Sequence, residues 1–255
     1  MRQHKTITPE IRKLLSFSPL QYMLDTVEEN PQLARIFTDD NDRSEWCLLI
    51  FGHYIWIAGN IENREEEISS VIAETDQEIV IVFYDGLAIP KMIKSNFASV
   101  FENVRSLFYI LPVQKEITTY EGVAAIDQEM MSSDISNLGM IIEEVSETAS
   151  YSNLDSFLQE GIGYAFLAED KVQGFCTSEY QSSKSIAIGI ELSEEYQRRG
   201  IASNMVRLFL NEASKRKLAV YWDCWKENVP SIKTAKASGF TKIAEYPVLI
   251  IDKQS

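Results

Sequence analysis

The period of the apolar positions changes several times along this chain, and each change marks an element. Ile186, Ile188, Ile190 and Leu192 alternate with other residues, the pattern of a half-buried strand. From Ile201 the spacing lengthens, and Ile201, Met205, Leu208, Phe209 and Ala213 share one stripe of a helix. Residues 218–224 (LAVYWDC) read as the next strand. The segment NVPSIKTAKASGF then reads as a helix with a left-handed cap at Gly239, and 241–251 as a last strand interrupted at Pro247. Upstream, 127–147 predict a helical region whose face is Ile135, Leu138, Ile141 and Ile142, and 154–161 a short helix. Residues 163–169 and 172–179 predict an antiparallel hairpin turning at Asp170-Lys171.

The first half carries the same two periods in a different order. Thr8 followed by Pro9 caps one helix. Ser18-Pro19 opens a second, with Leu20, Met23, Leu24 and Val27 on its apolar stripe and Asn30-Pro31 at its end. WCLLIF and YIWIAG predict paired strands joined near Gly52-His53, both apolar on two faces and so buried. A helix is expected over 65–73, a buried strand over 78–84, a helix over 98–104 and a strand over 105–111. These elements carry no nameable chemistry. His53 reads either as an acid or base or as a hydrogen-bonding turn residue, and Tyr54, Trp56, Phe83 and Tyr84 as pocket lining or core.

Composition narrows the function classes. With 255 residues and 45% hydrophobic content, the chain has enough apolar surface for packed cores and the length for two domains. The net charge of -14 argues against nucleic acid and anionic membranes as partners and suits a cationic substrate, although acidic surfaces also serve solubility. Cys47, Cys176 and Cys224 follow no metal-ligand spacing, and only His4 and His53 could assist them, so no metal site is expected. The N-terminal MRQHKTITPEIRK lacks the apolar core of a signal peptide, and no apolar run reaches membrane-spanning length. The expected setting is cytoplasmic.

The chemistry gathers where the 186–192 strand meets the following helix. A charged turn there runs Gln197-Arg198-Arg199-Gly200-Ile201-Ala202, and the helix entry carries no bulky polar cap. Unpaired N–H groups and the positive end of the helix dipole make such a junction an anion cradle. Gln197, Gly200 and Ala202 match a Q/R-x-x-G-x-G/A signature, and Asn228, Ser231, Gly239 and Phe240 match an N-x-x-A/S motif followed by Gly-Phe. On these two motifs, in this order and context, the stretch 115–255 resembles the GCN5-related N-acetyltransferase (GNAT) superfamily. The whole-chain layout is similar to a bacterial two-part subgroup that includes the zwittermicin-resistance acetyltransferases.

The resemblance implies an α/β fold in which a GNAT-like mixed sheet flanked by helices (115–255) follows an additional α/β domain (1–114). It implies acetyl-coenzyme A as donor cosubstrate and transfer to a primary amine of a small molecule by direct attack in a ternary complex. The pyrophosphate would lie against the amides of Gln197, Arg198, Arg199, Gly200, Ile201, Ala202 and Ser203. Backbone groups near Ile190 and Leu192 would hold the pantetheine and polarise the thioester, and Asn228 and Ser231 would reach the cofactor from the other side. Each of these residues also has an ordinary reading: Gly200 as a helix-entry glycine, the arginines as solvated charges, Asn228 as an N-cap.

One departure concerns the acid. Many members carry a tyrosine seven residues after the motif asparagine, and here that position is Ala235. Tyr246, Tyr221, Cys224 or water are the replacements on offer. Glu191 and then Glu179 are the candidate bases, and both equally suit a surface. A non-catalytic acyl-coenzyme A sensor and a peptide-lysine acetyltransferase are the rival functions, and a homodimer is a possible assembly. A mononucleotide-binding protein is more distant, since the turn lacks the Gly-Lys-Ser/Thr of a phosphate-binding loop.

Overall fold

The computed structural model describes residues 1–39, 44–115, 120–147, 150–151 and 153–254. They fall into two compact units, Met1–Arg105 with Glu245–Ser255 and Ser106–Ala244.

In the first unit, β1 (Arg2–His4), α1 (Pro9–Leu14) and α2 (Gln21–Glu29) precede β2 (Ala34–Thr38), β3 (Trp46–Phe51) and β4 (Tyr54–Gly59). After β4 come α3 (Glu65–Ala73), β5 (Ile79–Tyr84), α4 (Ala88–Asn96) and β6 (Val100–Ile110). Strands β1 to β4 form an antiparallel run, and the β3–β4 hairpin closes Phe51 on Tyr54 across Gly52-His53. Helix α3 carries the chain over to β5, which runs parallel to β4. Every residue of β3 is buried, because both sheet faces are covered. Leu48, Ile50, Ile55 and Ile57 pack with Ile68 and Ile72 of α3 and Met92 and Ile93 of α4. On the buried Trp56 the indole N–H donates to Ser18 Oγ at 3.0 Å.

In the second unit, β7 (Val123–Ala125), α5 (Gln128–Met131), α6 (Gly139–Glu147) and α7 (Leu154–Glu160) lead to a hairpin of β8 (Gly163–Ala168) and β9 (Lys171–Gln181). Then follow β10 (Ser185–Leu192), α8 (Ile201–Lys215), β11 (Ala219–Trp225), α9 (Val229–Ala237) and β12 (Thr241–Asp252). The sheet order here is β6-β11-β10-β9-β8-β7, with β10 antiparallel to β9 and parallel to β11. Two cores cover its faces. One joins Met205, Phe209 and Ala213 of α8 to Ile186, Ile188 and Trp222. The other joins Ile141 and Val145 of α6 to Phe157, Phe175 and Ala165.

The unit boundaries fall inside β6 and β12, so each of these strands has residues in both units. The C-terminal part of β12 pairs antiparallel with β5, Leu249 opposite Val82.

Several expectations are corrected. Residues 98–104 are not helical: Val100–Ile110 is one long strand. Val100, Val104 and Phe108 mimic a helical stripe, but a β-branched and aromatic segment of this kind gains more as a strand. The helical region 127–147 is two helices, α5 and α6, separated by Ser132–Leu138, where Asn137 takes φ 65°. The hairpin turns one residue early, at Glu169 and Asp170, both with positive φ as a tight two-residue turn requires.

Candidate functional site

Strands β10 and β11 pair only at their base. Ser185, Ile186 and Ala187 lie opposite Ala219, Val220 and Tyr221, and the pairing stops there, while on its other edge β10 stays paired to β9 through Leu192. The opening therefore leaves the β11-facing backbone of 188–192 outside that pairing. A cavity of about 760 Å³ begins here, lined by Ile190, Glu191 and Leu192 on one wall.

The turn after β10 is fixed by its own backbone. Gln197 Nε2 donates to the Leu192 carbonyl at 2.9 Å, which folds the turn back onto the strand end. Arg198 and Gly200 then take positive φ, 62° and 80°, and Gly200 is the N-cap of α8 with no side-chain cap bond. A Cβ at Gly200 would meet nothing within 4 Å, so backbone conformation rather than crowding requires the glycine. The first backbone bond of the helix runs from Asn204 N–H to Gly200 O, which leaves the amides of Ile201, Ala202 and Ser203 ahead of it. These residues line the same cavity with Gln197, Arg198 and Gly200. Arg199 does not: its guanidinium sits over the Tyr196 ring, 5.2 Å from the centroid.

The opposite wall comes from β11 and α9. Asn228 Oδ1 accepts the Ser231 N–H at 3.1 Å, so the asparagine is the N-cap of α9, and it also lines the cavity. Ser231 Oγ accepts from the indole N–H of Trp222 at 2.9 Å. Trp222, Val229, Pro230, Lys233 and Thr234 also line the cavity, and sequence alone does not single them out. Lys233 had one legible signal, its place two residues after Ser231 in the first turns of a helix. Arg198 and Lys233 give the cavity two cations against Glu191. An open helix N-terminus and two cations suit a phosphorylated ligand, and an unpaired strand edge suits an amide-bearing arm.

The remaining candidates lie elsewhere. Glu179, on β9, covers Gly189 of β10: a Cβ built on that glycine would lie 3.2 Å from Glu179 Cδ. Tyr246 belongs to the other unit, buried with its ring 5.9 Å from that of Phe83. Tyr221 packs on Tyr109 at 5.2 Å, Cys224 is buried with Sγ 4.0 Å from the Ser106 carbonyl oxygen, and Ala235 is fully buried in the core beneath α8. In the first unit His53 packs 4.0 Å from the Tyr54 ring, and burial, with Arg105 nearby, pushes its pKa down to about 4. No helix of the described residues is long and apolar enough to cross a membrane.

A family model for the GNAT acetyltransferases matches residues 20–249. An uncharacterized N-acetyltransferase of Bacillus subtilis, YdfB, is 26% identical over 123 residues, a match that spans 48% of this chain and 45% of that protein. Among solved structures, a GCN5-related N-acetyltransferase-like protein from Streptococcus suis superposes with a TM-score of 0.71 at 16% identity, covering 94% of this chain and 96% of that one. A tandem GNAT protein from the clavulanic acid biosynthesis pathway superposes at 0.52 with 8% identity, covering 94% and 92%. At these identities the solved structures speak for the fold, and the family model, matched over most of the chain, speaks for the family. The chain belongs to the GNAT acetyltransferase family.

Proposed function

We propose that this protein transfers the acetyl group of acetyl-coenzyme A to a primary amine of a small molecule, by direct attack in a ternary complex. One observation carries the reading: the unpaired edge of β10 and the open N-terminus of α8 face one cavity, with Gly200 between them. The diphosphate of the donor would lie against the amides of Ile201, Ala202 and Ser203, with Arg198 and Lys233 supplying positive charge. The pantetheine amides would extend β10 along Ile190 and Leu192. A backbone N–H at this edge would hold the thioester oxygen, which gains charge as the amine attacks. Glu191, on the cavity wall, and Glu179, beside Gly189, would draw an ammonium group towards that carbonyl, and the leaving thiolate needs little assistance as it departs. All three cysteines are buried, which argues for direct transfer rather than an acyl-enzyme.

Titration of acetyl-coenzyme A into the wild type and into Gly200→Trp tests the donor site. Micromolar binding to the wild type that is lost in the variant supports the reading, and equal binding to both refutes it. The second reading, a non-catalytic acyl-coenzyme A sensor, is favoured by the buried Ala235 where many relatives have a tyrosine. It predicts donor binding with no transfer to any amine.

A further inference from the structure

The α6-facing side of β10 carries a group of residues of which only Glu191 borders the donor site. Gly189 lies directly opposite Thr177 of β9, and Thr177 is opposite Gly163 of β8, so a threonine stands in a row between two glycines. Opposed residues of an antiparallel pair project to the same face. The Thr177 side chain therefore stands beside Gly189, where the Glu179 carboxylate occupies the place a side chain would take. Its hydroxyl is fully buried and has no hydrogen-bond partner among the described residues.

Two carboxylates converge on that space. The position a Gly189 Cβ would occupy is 3.1 Å from Glu144 Oε1, on α6, and 3.2 Å from Glu179 Cδ. Glu191, two residues along β10 from Gly189, projects to the same face and lines the donor cavity. The charges acting on Glu144 are negative: Glu147 on its own helix and Glu191. Of the elements packed against α6, α7 brings Asp155 and Glu160, and β9 brings Glu179 near one end and Lys171 at the other. Burial first, and then Glu147 and Glu191, push Glu144 up to about 7. Three acidic groups gathered over a glycine, beside an orphaned hydroxyl, make a poor structural core and a good receptor for a cation.

We propose that the acceptor amine enters at Gly189 on this face, with Thr177 Oγ1 and the Glu179 and Glu191 carboxylates receiving its N–H groups and Glu144 acting as the general base. The inference rests on the acetyl-transfer reading and specifies its acceptor side. An ammonium R-NH3+ gives one proton to the Glu144 carboxylate, and the neutral nitrogen attacks the thioester carbon. The C–N bond forms and the C–S bond breaks, the second proton passes from nitrogen to the leaving thiolate, and the third stays on the amide. Glu144 then returns its proton to solvent. A carboxylate that titrates near neutrality is matched to this exchange.

The test follows release of the coenzyme A thiol with putrescine, spermidine and tyramine as probes, alongside calorimetric binding of acetyl-coenzyme A. Glu144→Gln is expected to bind acetyl-coenzyme A as the wild type does, to lose about 10²–10³-fold in kcat, and to lose the rise in rate through about pH 7. Thr177→Val, which removes a hydroxyl with no internal partner, is expected to keep or raise Tm while raising the KM of the amine. Gly189→Ala, whose methyl meets only the ends of flexible side chains, is expected to fold and to raise that KM as well. Wild-type kcat and pH profile in Glu144→Gln overturn the assignment of the base. Intact acetyl-coenzyme A binding with none of the three amines accepted overturns the acceptor site and leaves the donor reading standing. If acetyl-coenzyme A itself does not bind, both fall together.

Discussion

Replacing Arg198 by glycine should move stability and donor binding in opposite directions. Arg198 sits at φ 62°, a left-handed conformation in which an L side chain crowds its own backbone. That conformation costs a non-glycine residue roughly 1–2 kcal/mol. Glycine removes the strain but brings about 0.5–1 kcal/mol of extra chain entropy in the unfolded state. The balance favours Arg198→Gly by about 0–1.5 kcal/mol, a rise in Tm of up to about 6 °C for a chain of this size. The same change deletes one of two cations lining the cavity. The arginine is exposed, so its loss should weaken acetyl-coenzyme A binding by about 1 kcal/mol, or roughly fivefold in Kd, with a smaller salt dependence. Differential scanning fluorimetry and calorimetry on the two proteins give both numbers. A fall in Tm would show that the residue is not strained. An unchanged Kd would show that its charge does not reach the donor.

Two further predictions concern groups outside the cleft. His53 has its pKa lowered from 6.5 to about 4, so the folded protein holds it neutral while the unfolded chain protonates it below 6.5. Its contribution to stability is complete above about pH 6.5 and is lost as the pH falls towards 4, at most about 3 kcal/mol, and urea midpoints of His53→Phe should vary less with pH in that window than those of the wild type. The three cysteines are buried, and burial raises the thiol pKa of Cys47 and Cys176, so Ellman's reagent should label none in the native protein and all three in guanidinium chloride; rapid labelling in the native state would contradict the packing.

The geometry of the turn and helix starts that line the cavity was legible in sequence because it is local. Gln197, Gly200, Ala202, Asn228 and Ser231 owe their places on the cavity wall to a turn and two helix starts, and such geometry is written in adjacent residues. The choice between Arg198 and Arg199 was not legible. It depends on the positive φ at Arg198 and on where the Tyr196 ring lies. Trp222 and Lys233 reach the cavity only through the packing of β11 and α9. Glu144 had no signal at all, since its meaning comes from α6 lying across β9 and β10 beside Gly189. In the fold, continuous apolar runs gave β3, β4 and β5, and alternation gave β10. The short β1 and β2 at a sheet edge carry little apolar pattern, and Val100, Val104 and Phe108 fit two periods equally well.

The central claim is that the donor lies along β10 and against the start of α8. Site-resolved amide hydrogen exchange with and without acetyl-coenzyme A measures this directly. The account predicts slowed exchange at Ile190, Leu192, Ile201, Ala202 and Ser203 on addition of the donor, with little change at β3 and β4. Unchanged exchange at those five amides, or protection confined to the other unit, would contradict it.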